Sequence, residues 1–196
     1  MPPQAVILNI AIVVAIVGII VYWVRRFAVF RGYKSIEADV QKVCELLKAE
    51  AVREGSDVVV AGHYSWFPTI VRFSHKVDMP GLDIEMRVPS KFNLSVTPKT
   101  ATFTGEGRVL MRTGSASLDK RFDARSDTPL EIRLLTGTTQ ALASLEQICC
   151  STQTGFTIKN GAMELSELTI PPFTANHVFD HLQSMLVIAR RVAEMP

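Results

Sequence analysis

The chain has 196 residues, 47% of them hydrophobic and 20% charged, with a formal net charge of +2. That is length for one ordinary domain plus an additional segment, and the composition excludes a disordered chain. Arg25, Arg26, Arg31 and Lys34 supply +4, so residues 35–196 carry +2 − 4 = −2; with acids and bases mixed through that region, a nucleic-acid footprint is excluded.

The first element is AVILNIAIVVAIVGIIVYWV, Ala5 to Val24, twenty residues without a charge. At about 1.5 Å per helical residue the run spans roughly 30 Å, the hydrocarbon thickness of a bilayer, which predicts a transmembrane helix. The preceding MPPQ has no Lys or Arg and the run ends in bulky Tyr22 and Trp23, so a retained anchor is expected rather than a cleaved signal peptide. Tyr22, Trp23, Arg25 and Arg26 then form the membrane interface, with the N-terminus outside and the domain in the cytoplasm. Within the span Ala11, Ala15 and Gly18 make one small-residue stripe, the pattern of a helix–helix contact in lipid.

The expected division is a short external N-terminus (1–4), the transmembrane helix (5–24), a basic juxtamembrane segment (25–34) and a soluble α+β domain (35–196). In that domain, residues 36–53 place Ile36, Val40, Val43 and Leu47 at helical spacing, with Gly55 as the stop. From about Asp57 the period becomes two. Val71, Phe73, His75 and Val77 alternate with polar residues, as do Leu82, Ile84, Met86 and Val88 after a turn at MPG. Phe92, Leu94 and Val96 follow, then RVLMR. Such alternation predicts antiparallel strands with one buried face.

Further on, Thr128-Pro129 and Glu131 form a T-x-x-E capping box for a short helix ending at Gly137, and Gln140 to Cys149 predicts a second. GFTIKNGAMELSEL reads as a hairpin turning on Asn160-Gly161. A final helix, about Ala175 to Glu194, presents Val178, Leu182, Met185, Ala189 and Val192 on one side. The expected fold class is α+β: one N-terminal transmembrane helix, then an antiparallel-sheet domain with flanking helices and a long C-terminal helix.

The stretch from Phe122 to Glu167, FDARSDTPLEIRLLTGTTQALASLEQICCSTQTGFTIKNGAMELSE, resembles segments of uncharacterised bacterial single-span membrane-associated domains. There a strand ending in Ser/Asp leads to a short Leu-Leu helix, a second helix and a hairpin. The resemblance implies a bacterial, anchored domain and brings no catalytic residues.

Three groups of side chains invite a chemical reading. His177 and His181 stand four apart on the last helix with Asp180 beside them, a spacing that suits two ligands of a metal site. HVFDH lacks the Glu of H-E-x-x-H, and spacing assigns no third ligand, so helix-surface histidines explain the pair equally and no metal is assigned. GHYSWFP gathers His63, Tyr64, Trp66 and Phe67, either lining a ligand pocket or forming the rim of a core. Cys44, Cys149 and Cys150 are an odd set with no C-x-x-C, which fits a reducing compartment and buried thiols better than redox chemistry.

Together these features predict no cofactor and no catalytic residue, and favour a non-enzymatic accessory or scaffolding subunit of a complex in the bacterial inner membrane. Its partners would be lipid and other membrane subunits or a second copy. A membrane-tethered ligand-binding or sensory domain, and an enzyme with an unrecognised active site, are the alternatives.

Overall fold

The computed structural model describes residues 17–19, 37–75, 80–91, 93–99, 109–127, 129–151, 153–168 and 174–195. The chain divides into two compact units, Met1–Ala38 and Asp39–Pro196. Of the expected span 5–24 only residues 17–19 are described, and they are helical and exposed. Ala11, Ala15, Tyr22, Trp23, Arg25 and Arg26 lie outside the described residues.

The expected fold class requires correction. Among the described residues no helix is long and apolar enough to cross a membrane. The longest is the C-terminal helix, 19 residues over Ala175–Ala193, and the physical reason is plain in it. It is amphipathic, burying Val178, Leu182 and Met185 while carrying Asp180, Arg190 and Arg191. The fold is α+β, built on one large antiparallel sheet with that helix laid on it.

The sheet has nine strands: β1 (Ala51–Glu54), β2 (Asp57–Tyr64), β3 (Phe67–His75), β4 (Pro80–Arg87), β5 (Leu94–Pro98), β6 (Val109–Met111), β7 (Phe122–Ser126), β8 (Thr154–Lys159) and β9 (Ala162–Leu168). Their spatial order is β1-β2-β3-β4-β9-β8-β5-β7-β6. The early meander β1–β4 is joined to the later strands by the β8–β9 hairpin, with β9 pairing β4. That hairpin turns on Asn160 and Gly161, both at positive φ (54° and 74°), as a type I′ turn demands.

Strand register explains the core. Val60, Val71, Ile84, Leu165, Phe156, Val96 and Ala124 are successive cross-strand partners, and none is more than 1% exposed. Side chains alternate between faces in every strand, so this row marks the buried face and Arg72, Asp83, Glu85 and Glu164 fall on the other. Five helices accompany the sheet, each burying apolar side chains: α1 (37–47), α2 (Ala116–Arg121), α3 (Pro129–Thr136), α4 (Thr139–Ile148) and α5 (Ala175–Ala193). Val40, Val43 and Leu47 of α1 are buried as their spacing predicts. Thr138 and Thr174 cap α4 and α5, accepting from the backbone N–H of Ala141 and His177.

The first helix is shorter than its pattern suggests. It ends at Leu47, Lys48 takes a left-handed φ of 51°, and Ala49 N–H donates to the Cys44 carbonyl at 3.0 Å, a left-handed helix stop. Ala51–Glu54 become edge strand β1, and Gly55 (φ 66°) begins the β1–β2 turn. The last turn of α1 sits directly on β2. A Cβ on Gly62 would lie 2.3 Å from the Leu47 carbonyl oxygen and 2.9 Å from the Ala49 methyl. Gly62→Ala is therefore expected to destabilise the domain by about 1–3 kcal/mol, the cost of overpacking against backbone. Urea denaturation checks this, and an unchanged midpoint would mean that α1 shifts without cost.

Candidate metal centre

One inward position breaks the apolar pattern. The row beside the core row reads Phe73, Leu82, Glu167 and Thr154 across β3, β4, β9 and β8. Phe73 and Leu82 are buried, and so are Glu167 (5% exposed) and Thr154. In AMELSEL, Met163 and Leu165 point to the core and Glu167 takes the same phase, leaving Leu168 exposed. A carboxylate in that position costs free energy unless it is hydrogen-bonded and its charge is matched.

The match comes from α5. His177 and His181 are one helical turn apart, so both face the end of β9. Glu167 Oε2 lies 2.7 Å from His177 Nε2 and 3.1 Å from His181 Nε2, and the two Nε2 atoms are 3.1 Å apart. The imidazole rings meet edge to face, with centroids 4.4 Å apart and planes at 76°. His181 is 2% exposed, whereas the His177 side chain keeps 36% of its surface in solvent. The cluster is sealed on the β9 side and open past His177.

Electrostatics follow from this placement. Burial pushes the Glu167 carboxyl up, but hydrogen bonds from both histidines, aided by their charges, outweigh it and hold the group at about 2 against an ordinary 4.5. His177 is raised chiefly by its hydrogen bond to Glu167, with burial opposing and the charges of Glu167 and Asp180 adding. Among the described residues, His181 Nδ1 and the Thr154 hydroxyl, which stands across from Glu167, have no hydrogen-bond partner.

Glu167, His177 and His181 form a set of potential metal ligands. Four donors around a tetrahedral ion with bonds of about 2.0–2.1 Å are separated by roughly 3.3 Å. The observed triangle of 2.7, 3.1 and 3.1 Å reaches that size with movements of a few tenths of an ångström. Both imidazoles present Nε2 to the same carboxylate oxygen, Glu167 Oε2. The N-terminal end of α5 is also anchored from α1: Asp39 Oδ1 accepts from the Ala175 N–H at 3.1 Å.

The sequence pairs His177 with His181 but does not supply Glu167, although the signal is present: it is the one acid in the inward phase of β9. The other singled-out residues do not converge. Tyr64 is buried and its hydroxyl accepts from Gln183 of α5, Phe67 shares that face as the partner of Tyr64, His63 projects from the opposite face, and Trp66 is 88% exposed at the β2–β3 turn. Gly18 is exposed. A depression of about 270 Å³ on the face of the sheet opposite the core row is lined by Ile70, Arg72, Asp83, Glu85, Glu164 and Ser166. Its charges are partly spent on neighbours, Arg72 on Glu54 and Glu85 on Arg87. The three cysteines are free; burial, with Cys150 adding, pushes the Cys149 thiol up to about 12, so it stays protonated and unreactive.

No family model, curated protein or solved structure matches this chain.

Proposed function

We propose that this chain is a metal-binding protein whose Glu167–His177–His181 centre takes one divalent first-row transition ion, zinc foremost. A single observation carries the reading: three ligand atoms from two elements converge within 3.1 Å. Imidazole and carboxylate donors suit zinc and its neighbours, whereas calcium and magnesium want sites of oxygen alone. The ion would join the last helix to the centre of the sheet, so binding would also stabilise the fold. Among the readings the sequence offers, this lies nearest to a ligand-binding domain, with a metal in place of the aromatic pocket.

A second reading is favoured by the unpartnered His181 Nδ1. An imidazole that coordinates through Nε2 carries its proton on Nδ1, where an acceptor is normally found. Without metal, both histidines instead donate Nε2–H to Glu167 and the cluster is a charge-assisted clasp of α5. Calorimetric titration of the chelator-treated full chain with zinc separates the two. The metal reading expects one equivalent bound and loss of that binding in His177→Ala, with circular dichroism of the variant checking that it is folded; the position is over a third exposed. Equal heats for wild type and His177→Ala would leave only the clasp.

A further inference from the structure

We infer that the metal at this centre keeps an exchangeable position on the His177 side, where it binds a small anion from solvent. The inference rests on the metal reading proposed above and specifies the ligand that the bound ion would recruit.

Coordination number is the first ground. The described residues supply three donors here, and the connection between Glu167 and α5, which reads Leu168, TIPPF, Thr174, contains no His, Cys, Asp or Glu. A site closed for a structural role normally has four protein ligands, whereas three protein ligands leave a position for an exogenous one. Access is the second ground. Glu167 and His181 are sealed by the sheet and by α5, while His177 is over a third exposed. The approach from solvent is therefore past His177.

Charge decides the class of ligand. A divalent ion with one carboxylate and two neutral imidazoles is a centre of net charge +1. His177 lies in the first turn of the 19-residue helix α5, and that end of the helix carries the positive pole of its dipole. Two acids face the same region. Asp39 is committed to the Ala175 N–H, and Asp180 is exposed one turn along from His177. The balance attracts a monovalent anion of carboxylate or azide size and penalises a cation.

Cobalt(II) replaces zinc in such sites and gives visible d–d bands that report its coordination. The test is the absorption of the full chain loaded with one equivalent of cobalt(II), titrated with sodium azide and, separately, with sodium acetate. The expected result is a saturable change in the bands with one anion per metal. In Asp180→Asn, which removes the nearby negative charge, azide should bind about two- to five-fold tighter at low salt, with the gain lost at high salt. Cobalt bands that ignore both anions at saturation would overturn the inference and leave the metal reading standing. Absence of any band from bound cobalt would overturn the metal reading and this inference with it.

Discussion

Replacing Glu167 with glutamine is expected to abolish stoichiometric zinc binding while the metal-free protein still folds. The amide keeps the shape of the side chain and an oxygen able to accept one imidazole N–H, but loses the charge that both histidines share at 2.7 and 3.1 Å. Alanine at the same position should do more. It removes the charged acceptor that both imidazoles share and leaves buried His181 Nε2 with only His177 Nε2 in reach, at a cost of about 1–3 kcal/mol in the metal-free protein. In the wild type, zinc free at 1,000 times its Kd would add about 4 kcal/mol. For a chain of this length that raises Tm by about 10 °C. Thermal denaturation with and without zinc reads all of these effects. A zinc-induced rise of the same size in Glu167→Gln would place the metal elsewhere.

The second large effect is in pH, and metal-free and zinc-loaded protein should respond in opposite directions. Glu167 is held at about 2 in the folded chain against 4.5 ordinarily. Its contribution is therefore fully present above about 4.5 and is lost as pH falls through about 2. His177 is raised above 6.5, so its contribution is full below 6.5 and is lost as pH rises through the folded value. The metal-free cluster is then most stabilising between about 4.5 and 6.5, with an amplitude on the order of 2–3 kcal/mol shared among its members. Zinc requires neutral imidazole, so its stabilisation grows as the pH climbs through the raised His177 value. Tm against pH, measured with chelator and with zinc, should give two curves that diverge above pH 6.5. Parallel curves would mean that protons and zinc do not compete for His177.

The sheet was largely legible because a strand with one buried face writes its geometry into alternate residues. Val71 and Phe73, or Leu82, Ile84 and Met86, are buried as their phase requires, and Asn160-Gly161 announces its turn. The same logic fails where an element is short or ends without a glycine. Lys48 stops α1 in a conformation that glycine usually marks, so AVRE is readily taken as more helix. Gly55, read as the helix stop, instead serves the β1–β2 turn. The six residues of α2 (Ala116–Arg121) are fewer than two turns, too few to display a period of 3.6. The expected membrane-spanning fold class fell for a different reason: among the described residues apolar surface is gathered on faces, as on α5, and not in an uninterrupted apolar helix.

The site was half visible. The i, i+4 spacing of His177 and His181 is a local property of a helix, and the sequence displays it. Glu167 joins them through the packing of α5 across the end of β9, a contact ten and fourteen residues away in the chain. Its clue was the phase of one acid in a strand, informative only once the buried face of β9 is known. GHYSWFP, which the sequence reads as either a pocket lining or the rim of a core, is divided by its own geometry. Four aromatic or polar rings close in sequence lie on a hairpin, where alternation sends Tyr64 and His63 to opposite faces.

X-ray absorption at the zinc edge, on the full chain carrying one equivalent of zinc, tests the metal centre most directly. The predicted spectrum has a first shell of nitrogen and oxygen alone at about 2.0–2.1 Å, with the outer-shell scattering of two imidazoles. That signature should disappear from His177→Ala. Sulfur at about 2.3 Å would place the ion on cysteine thiols, and a spectrum without imidazole scattering would place it on surface carboxylates; either contradicts a centre at Glu167, His177 and His181.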